Sequence, residues 1–176
     1  TLTLLERALI DFELQEALMG DFDAAVARHG DDATKRDTYE RILNELTSPS
    51  ASLTLRRTLA QMYEAAGDRA PALAHYESIC SLDSGDNTSL DAYIALLEES
   101  GDLGASLTWQ STRLQSAKGS ISEDAYVDQA VSIAERYANE LDDTDECITR
   151  LVKLIREFPS HHRAPASLAQ VRFRRE

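Results

Sequence analysis

Apolar residues recur along this chain at steps of three and four, as in Leu59 and Tyr63, Ala72, Tyr76 and Ile79, or Leu151 and Leu154. No stretch shows sustained alternation bounded by hairpin turns, so the pattern is that of amphipathic helices. It predicts helices near 2–19, 22–29, 33–47, 52–66, 69–82, 87–100, 103–117, 122–141, 143–158 and 163–174. The connections are short, which predicts that neighbours pack antiparallel. Nothing in the composition marks a linker, and the expectation is one all-α domain over 1–176.

The punctuation between helices repeats. Gly20-Asp21, Gly67-Asp68 and Gly101-Asp102 each stand where one helix should close and the next open. Glycine tolerates the left-handed conformation just past a helix end. Aspartate accepts hydrogen bonds from the unpaired N–H groups of the helix that follows. At a fourth junction, Leu141-Asp142, the glycine is missing and the cap should be less favourable. Asp142, Asp143, Asp145 and Glu146 lack the glycine and the spaced oxygen ligands of a calcium loop, so they read as first-turn residues serving the helix dipole.

From Gly67 to Gly101 is 34 residues, and alignment on the glycines resembles the tetratricopeptide repeat (TPR), a helix–turn–helix of that period. In 53–86, Leu59, Ala60, Tyr63, Gly67, Ala72, Tyr76 and Ile79 match the family's positions. Small Ala60 and Ala72 let two helices approach, while Tyr63 and Tyr76 should fill the space toward the next hairpin. The unit 87–120 keeps Tyr93, Ile94, Leu97, Gly101 and Ser106 but departs at Gln110 and Arg113, with Trp109 a candidate substitute aromatic. A third, 128–161, offers Ala134, Ala138, Cys147, Leu151, Leu154 and Pro159, preceded by extra turns at 121–127. Residues 1–50 are irregular: Phe12, Gly20 and Ala25 sit at matching offsets, but Gly20 to Gly67 is 47 residues. Residues 162–176 look like the start of a further helix. The resemblance implies an α-α superhelix (solenoid) of antiparallel hairpins, with three to four repeats plus a partial terminal helix.

In such solenoids the first helix of each hairpin lines a groove that binds peptides. The resemblance places Thr54, Arg57, Gln61 and Glu64 there, then Thr88, Asp91, Ala95 and Glu98, then Gln129, Ser132, Arg136 and Asn139. Only Arg57, Arg136 and Asn139 suit an anion, and Glu64, Asp91 and Glu98 oppose one. The groove therefore favours a neutral or basic protein or peptide segment over a C-terminal carboxylate. On the last helix Leu168, Val171 and Phe173 should face a missing neighbour, a second copy or the rest of a longer repeat protein. The chain begins at Thr1 without methionine, consistent with a fragment.

Charge narrows the partners. The formal net charge of −13 repels a phosphate backbone, which argues against nucleic acid. Arg163, Arg172, Arg174 and Arg175 crowd the C-terminus; that asymmetry is compatible with a homo-oligomer through this edge, although a solvated charged face is the plainer reading. No apolar run is long enough to span a membrane. Cys80 and Cys147, far apart and inside helical patterns, read as buried thiols of a reducing, cytoplasmic setting. His75 should be exposed, and His161-His162, on a loop without acidic company, should not hold a metal. No hydrolase, phosphate-loop or metalloprotease motif occurs, so the expectation is a non-catalytic interaction or scaffolding module without cofactor. The stripe Tyr63, Tyr76, Tyr93 and Trp109 reads as core packing. Alternatives are a peptide-sensing regulatory receptor, or a non-catalytic subunit of an enzyme complex. An enzyme on a helical frame would require a pocket of converging polar groups with perturbed titration.

Overall fold

The structure, a computed structural model, describes residues 2–11, 20–25 and 31–175. It is all-α: α1 (Leu2–Asp11), a helical segment at 20–25, α2 (Asp32–Glu45), α3 (Pro49–Ala66), α4 (Arg69–Leu82), α5 (Asn87–Ser100), α6 (Leu103–Ser116), α7 (Glu123–Glu140), α8 (Thr144–Glu157) and α9 (Arg163–Arg175). From α2 onward these follow the apolar pattern to within about three residues at each end. The predicted helix ends over 12–19 and 26–29, with Phe12 and His29, lie outside the described residues.

The helix ends explain why the periodicity stops where it does. Ser48 accepts a hydrogen bond from the N–H of Ala51 at 3.4 Å, with Pro49 in the first turn of α3. That helix closes at Gly67, whose φ of 78° is left-handed, and the Asp68 N–H reaches back to the Tyr63 carbonyl at 2.9 Å. Gly101, φ 83°, repeats the device, with Asp102 N–H donating to the Leu97 carbonyl at 2.9 Å. At the junction without glycine, Asp142 itself takes φ 56°, a conformation that aspartate tolerates better than most residues. Asp102 and Asp143 then cap α6 and α8, accepting from Ala105 N–H at 3.0 Å and Glu146 N–H at 2.9 Å. Asp68 departs from the expected pattern. Its side chain makes no cap bond and lies 3.8 Å from the Arg36 guanidinium instead.

The chain divides into two compact units, residues 1–93 and 94–176, with the boundary inside α5 and thus inside the repeat drawn at 87–120. In the first unit α1 packs on α2, α2 on α3, and α3 on α4. Its core joins Leu9, Phe22, Tyr39, Ile42, Leu55 and Leu59, all fully buried. Each such aliphatic side chain contributes about 2 kcal/mol. Ala60 and Ala72 are also fully buried, so the small residues sit where α3 and α4 pack as a hairpin.

Two aromatic positions behave differently from the expectation. Tyr63 is half-buried and looks back to α2, its hydroxyl donating to Glu40 at 3.1 Å. His75, expected at the surface, is buried. It stacks on Tyr63, with ring centroids 5.6 Å apart and planes at 13°, and its Nε2 lies 2.9 Å from the Glu40 carboxylate. The aromatic stack shields the imidazole and Glu40 gives it a partner, so a polar ring is accommodated inside.

The second unit packs α6 on α7, α7 on α8, and α9 on both α7 and α8. Its core holds Leu107, Val127, Val131, Ala134, Cys147 and Leu151, fully buried. Ala164 and Val171 of α9 are buried in the same core, and Leu168 packs against it. Two of the three expected edge residues thus face inward, because α9 already has α7 and α8 to cover its apolar face. Phe173 is 79% exposed. Cys80 and Cys147 are free and buried. Burial pushes both thiols up, that of Cys80 to about 11. Among the described residues no helix is long and apolar enough to cross a membrane.

Candidate functional site

A cleft of about 520 Å³ opens in the second unit among α5, α6 and α7. Its floor is apolar, with Ile94, Leu114, Ile121 and Ile133, and its rim carries Gln110, Arg113, Gln129, Ser132 and Arg136. Of the α7 residues expected in a groove, Gln129, Ser132 and Arg136 line this cleft, because positions 129, 132, 133 and 136 fall on one face of the helix.

One end of the cleft is held by a polar network across three helices. Arg136 donates through Nε and Nη2 to both oxygens of Glu140, at 2.8 and 3.0 Å. Its Nη2 also reaches Glu98 Oε1 at 2.9 Å, and Nη1 reaches Gln110 Oε1 at 3.0 Å. Glu98 Oε1 further accepts from Gln110 Nε2 at 2.9 Å and from Ser106 at 3.2 Å. The Arg136 hydrogen bond is the main cause that holds the Glu98 carboxyl below the usual carboxylate range, against a smaller opposing effect of burial. Glu140 is lowered by the same guanidinium, and Arg136 is raised, first by Glu140. The lowered carboxyls and the raised guanidinium keep this network paired and charged at neutral pH.

Gln110, Ser106 and Glu140 were not among the expected site residues. The visible signal was Gln110 itself, where the resemblance led to the expectation of an aromatic: the amide there bridges Arg136 and Glu98. Asn139 lies outside the cleft lining, exposed, its Oδ1 accepting from Arg174 at 3.4 Å. Ala95 is exposed.

The sequence matches no protein-family model, and a search of the curated proteins returns no relative.

In the first unit the expected groove residues are more scattered. Arg57 donates through Nε to Asp86 at 2.6 Å and through Nη2 to Asp83 at 3.3 Å. Burial works to raise the Asp86 carboxyl, but the hydroxyl and N–H of Ser89 together with Arg57 hold it below the ordinary value. The Arg57 charge is consequently spent on fixing α3 to the turn before α5. Glu64 accepts from the buried Tyr76 hydroxyl at 2.8 Å. Thr54 turns its hydroxyl onto the Ser50 carbonyl at 3.1 Å. Gln61, Thr88 and Asp91 are exposed.

The histidine pair has company after all. His161 Nε2 lies 3.3 Å from Asp124 of α7, and the imidazoles of His161 and His162 stack at 5.6 Å. Among the described residues no group of three His, Cys, Asp or Glu side chains is arranged to hold a metal ion.

Proposed function

We propose that this chain is a helical-repeat interaction module of the tetratricopeptide kind. It binds a protein or peptide segment of neutral or basic character and performs no chemistry of its own. The observation that carries this reading is the amphipathic cleft on α7. Its apolar floor takes side chains, its amide and hydroxyl rim takes backbone groups, and its Arg136 already carries two carboxylates, Glu98 and Glu140. A guanidinium so engaged offers little to an incoming anion, because breaking its pairs would strand both glutamates. The placement of alanines, glycines and caps at the repeat positions supports the same reading.

The test is a selection from a random linear-peptide library against the wild-type chain and against Ser132→Trp. Ser132 is exposed, so the indole fills the cleft without disturbing the core. The expected result is enrichment of apolar peptides with neutral or basic polar positions, whose affinity falls about tenfold or more in the variant. Peptides that bind Ser132→Trp as well as the wild type would remove the cleft from consideration.

A further inference from the structure

A second cleft, of about 470 Å³, lies among α6, α7 and α8 of the same unit. Leu114, Ala130, Ile133 and Leu154 form its apolar floor. The α6 wall carries Thr108 and Thr112, whose hydroxyls donate to carbonyls of their own helix at 2.9 and 3.1 Å. The α8 wall is basic, and its charges are of two kinds.

Arg150 is fully engaged. It donates to Glu146 at 2.8 Å, to Ser111 at 2.9 Å and to the Tyr137 hydroxyl at 3.0 Å, with its guanidinium 4.3 Å from the Tyr137 ring centroid. The one carboxylate in the lining, Glu157, is held by Lys118, whose ammonium also sits over the Tyr126 and Phe158 rings at 5.6 and 5.4 Å. Lys153 and Arg156 are different. They are exposed, three residues apart on α8, and no side chain among the described residues engages either one. A depression lined by Ile148 and Val152 continues from Lys153 to Arg156, so the apolar strip and the unengaged cations run side by side.

From this we infer that the α6–α8 face is a second docking site, for an acidic protein segment in which apolar side chains alternate with Asp or Glu. Its apolar residues enter the cleft and its carboxylates meet Lys153 and Arg156. Charge complementarity selects this occupant. In a chain of net charge −13, two cations without side-chain partners here border an apolar strip whose own carboxylate is already neutralised. A basic segment would find Lys153 and Arg156 opposing it. An anionic bilayer would meet only these two charges on α8 while the acidic remainder of the surface was repelled. The site shares the floor residues Leu114 and Ile133 with the α5–α7 cleft and differs from it in its charge and in the residues that test it.

The experiment uses the same random peptide library with the wild-type chain and with Lys153→Glu/Arg156→Glu. Both positions are exposed and unengaged, and far-UV circular dichroism checks that the helices are retained. The expected result is a class of peptides rich in Asp and Glu that loses affinity about tenfold or more in the double variant and is unaffected by Ser132→Trp. An empty selection, a class without acidic enrichment, or binding undiminished by the charge reversal overturns the inference. So does uptake by phosphatidylserine vesicles, sensitive to the double variant, in place of peptide binding.

Discussion

Within residues 1–93 the helices are joined through buried polar groups. The hydroxyl of fully buried Tyr39 donates to Asp23 at 2.6 Å, with Lys35 on the same carboxylate at 2.7 Å. His75 and Tyr63 converge on Glu40. Within residues 94–176 the interior is a larger, mainly apolar cluster that takes in Tyr126 and Tyr137, with buried Ser106 and Ser167 bonded to Glu98 and Glu135 and ion pairs such as Arg136–Glu98 and Arg150–Glu146 at its margin. The lesson is one of specificity against tolerance. A buried polar joint fixes one geometry and is costly when half of it is lost, whereas an aliphatic joint depends on volume and shape.

The sharpest way to break that comparison is to cut each kind of joint. Leu151→Ala in the second unit removes a fully buried side chain and should cost about 3 kcal/mol, read by urea unfolding. Glu40→Ala in the first unit takes the partner from Tyr63 and from His75, whose Nδ1 is already buried without one. It should cost about 2 kcal/mol although Glu40 itself is only partly covered. A loss of a few tenths, typical of surface positions, would show that the polar joint is ornamental and the two units are alike. The smallest effect concerns the helix ends. Gly101→Ala, at φ 83°, should cost about 1 kcal/mol, while Asp142→Gly, at φ 56°, should gain about 0.5 kcal/mol. Equal and opposite effects would place the two turns on the same footing.

The helices were legible because their ends are written in residues with local physics. Gly67, Gly101, Ser48 and Asp102 act on the adjacent turn and need no tertiary knowledge. The apolar faces were legible from period alone. His75 was not, since its burial depends on Glu40, 35 residues away, and no local pattern announces a partner at that distance. Leu168 and Val171 were misjudged for a related reason: the apolar stripe of α9 was visible, but not that α7 and α8 together cover it. For the candidate site, Gln129 and Arg136 could be placed by register on α7. Gln110 and Glu140 became intelligible only once Arg136 was seen to gather them. The unengaged state of Lys153 and Arg156 is likewise invisible in sequence, because a cation's freedom is set by what every other helix presents to it.

The two free cysteines carry a consequence of a different order. Cys80 belongs to the first unit and Cys147 to the second, and both thiols are buried and raised above their ordinary range. Neither reacts as a thiolate while its surroundings are closed, so alkylation of each waits on an opening of its own unit. Without any engineered label, the chain holds one clock in each half. The ratio of the two labelling rates, followed across denaturant, tells whether the halves open as one cooperative body or in sequence.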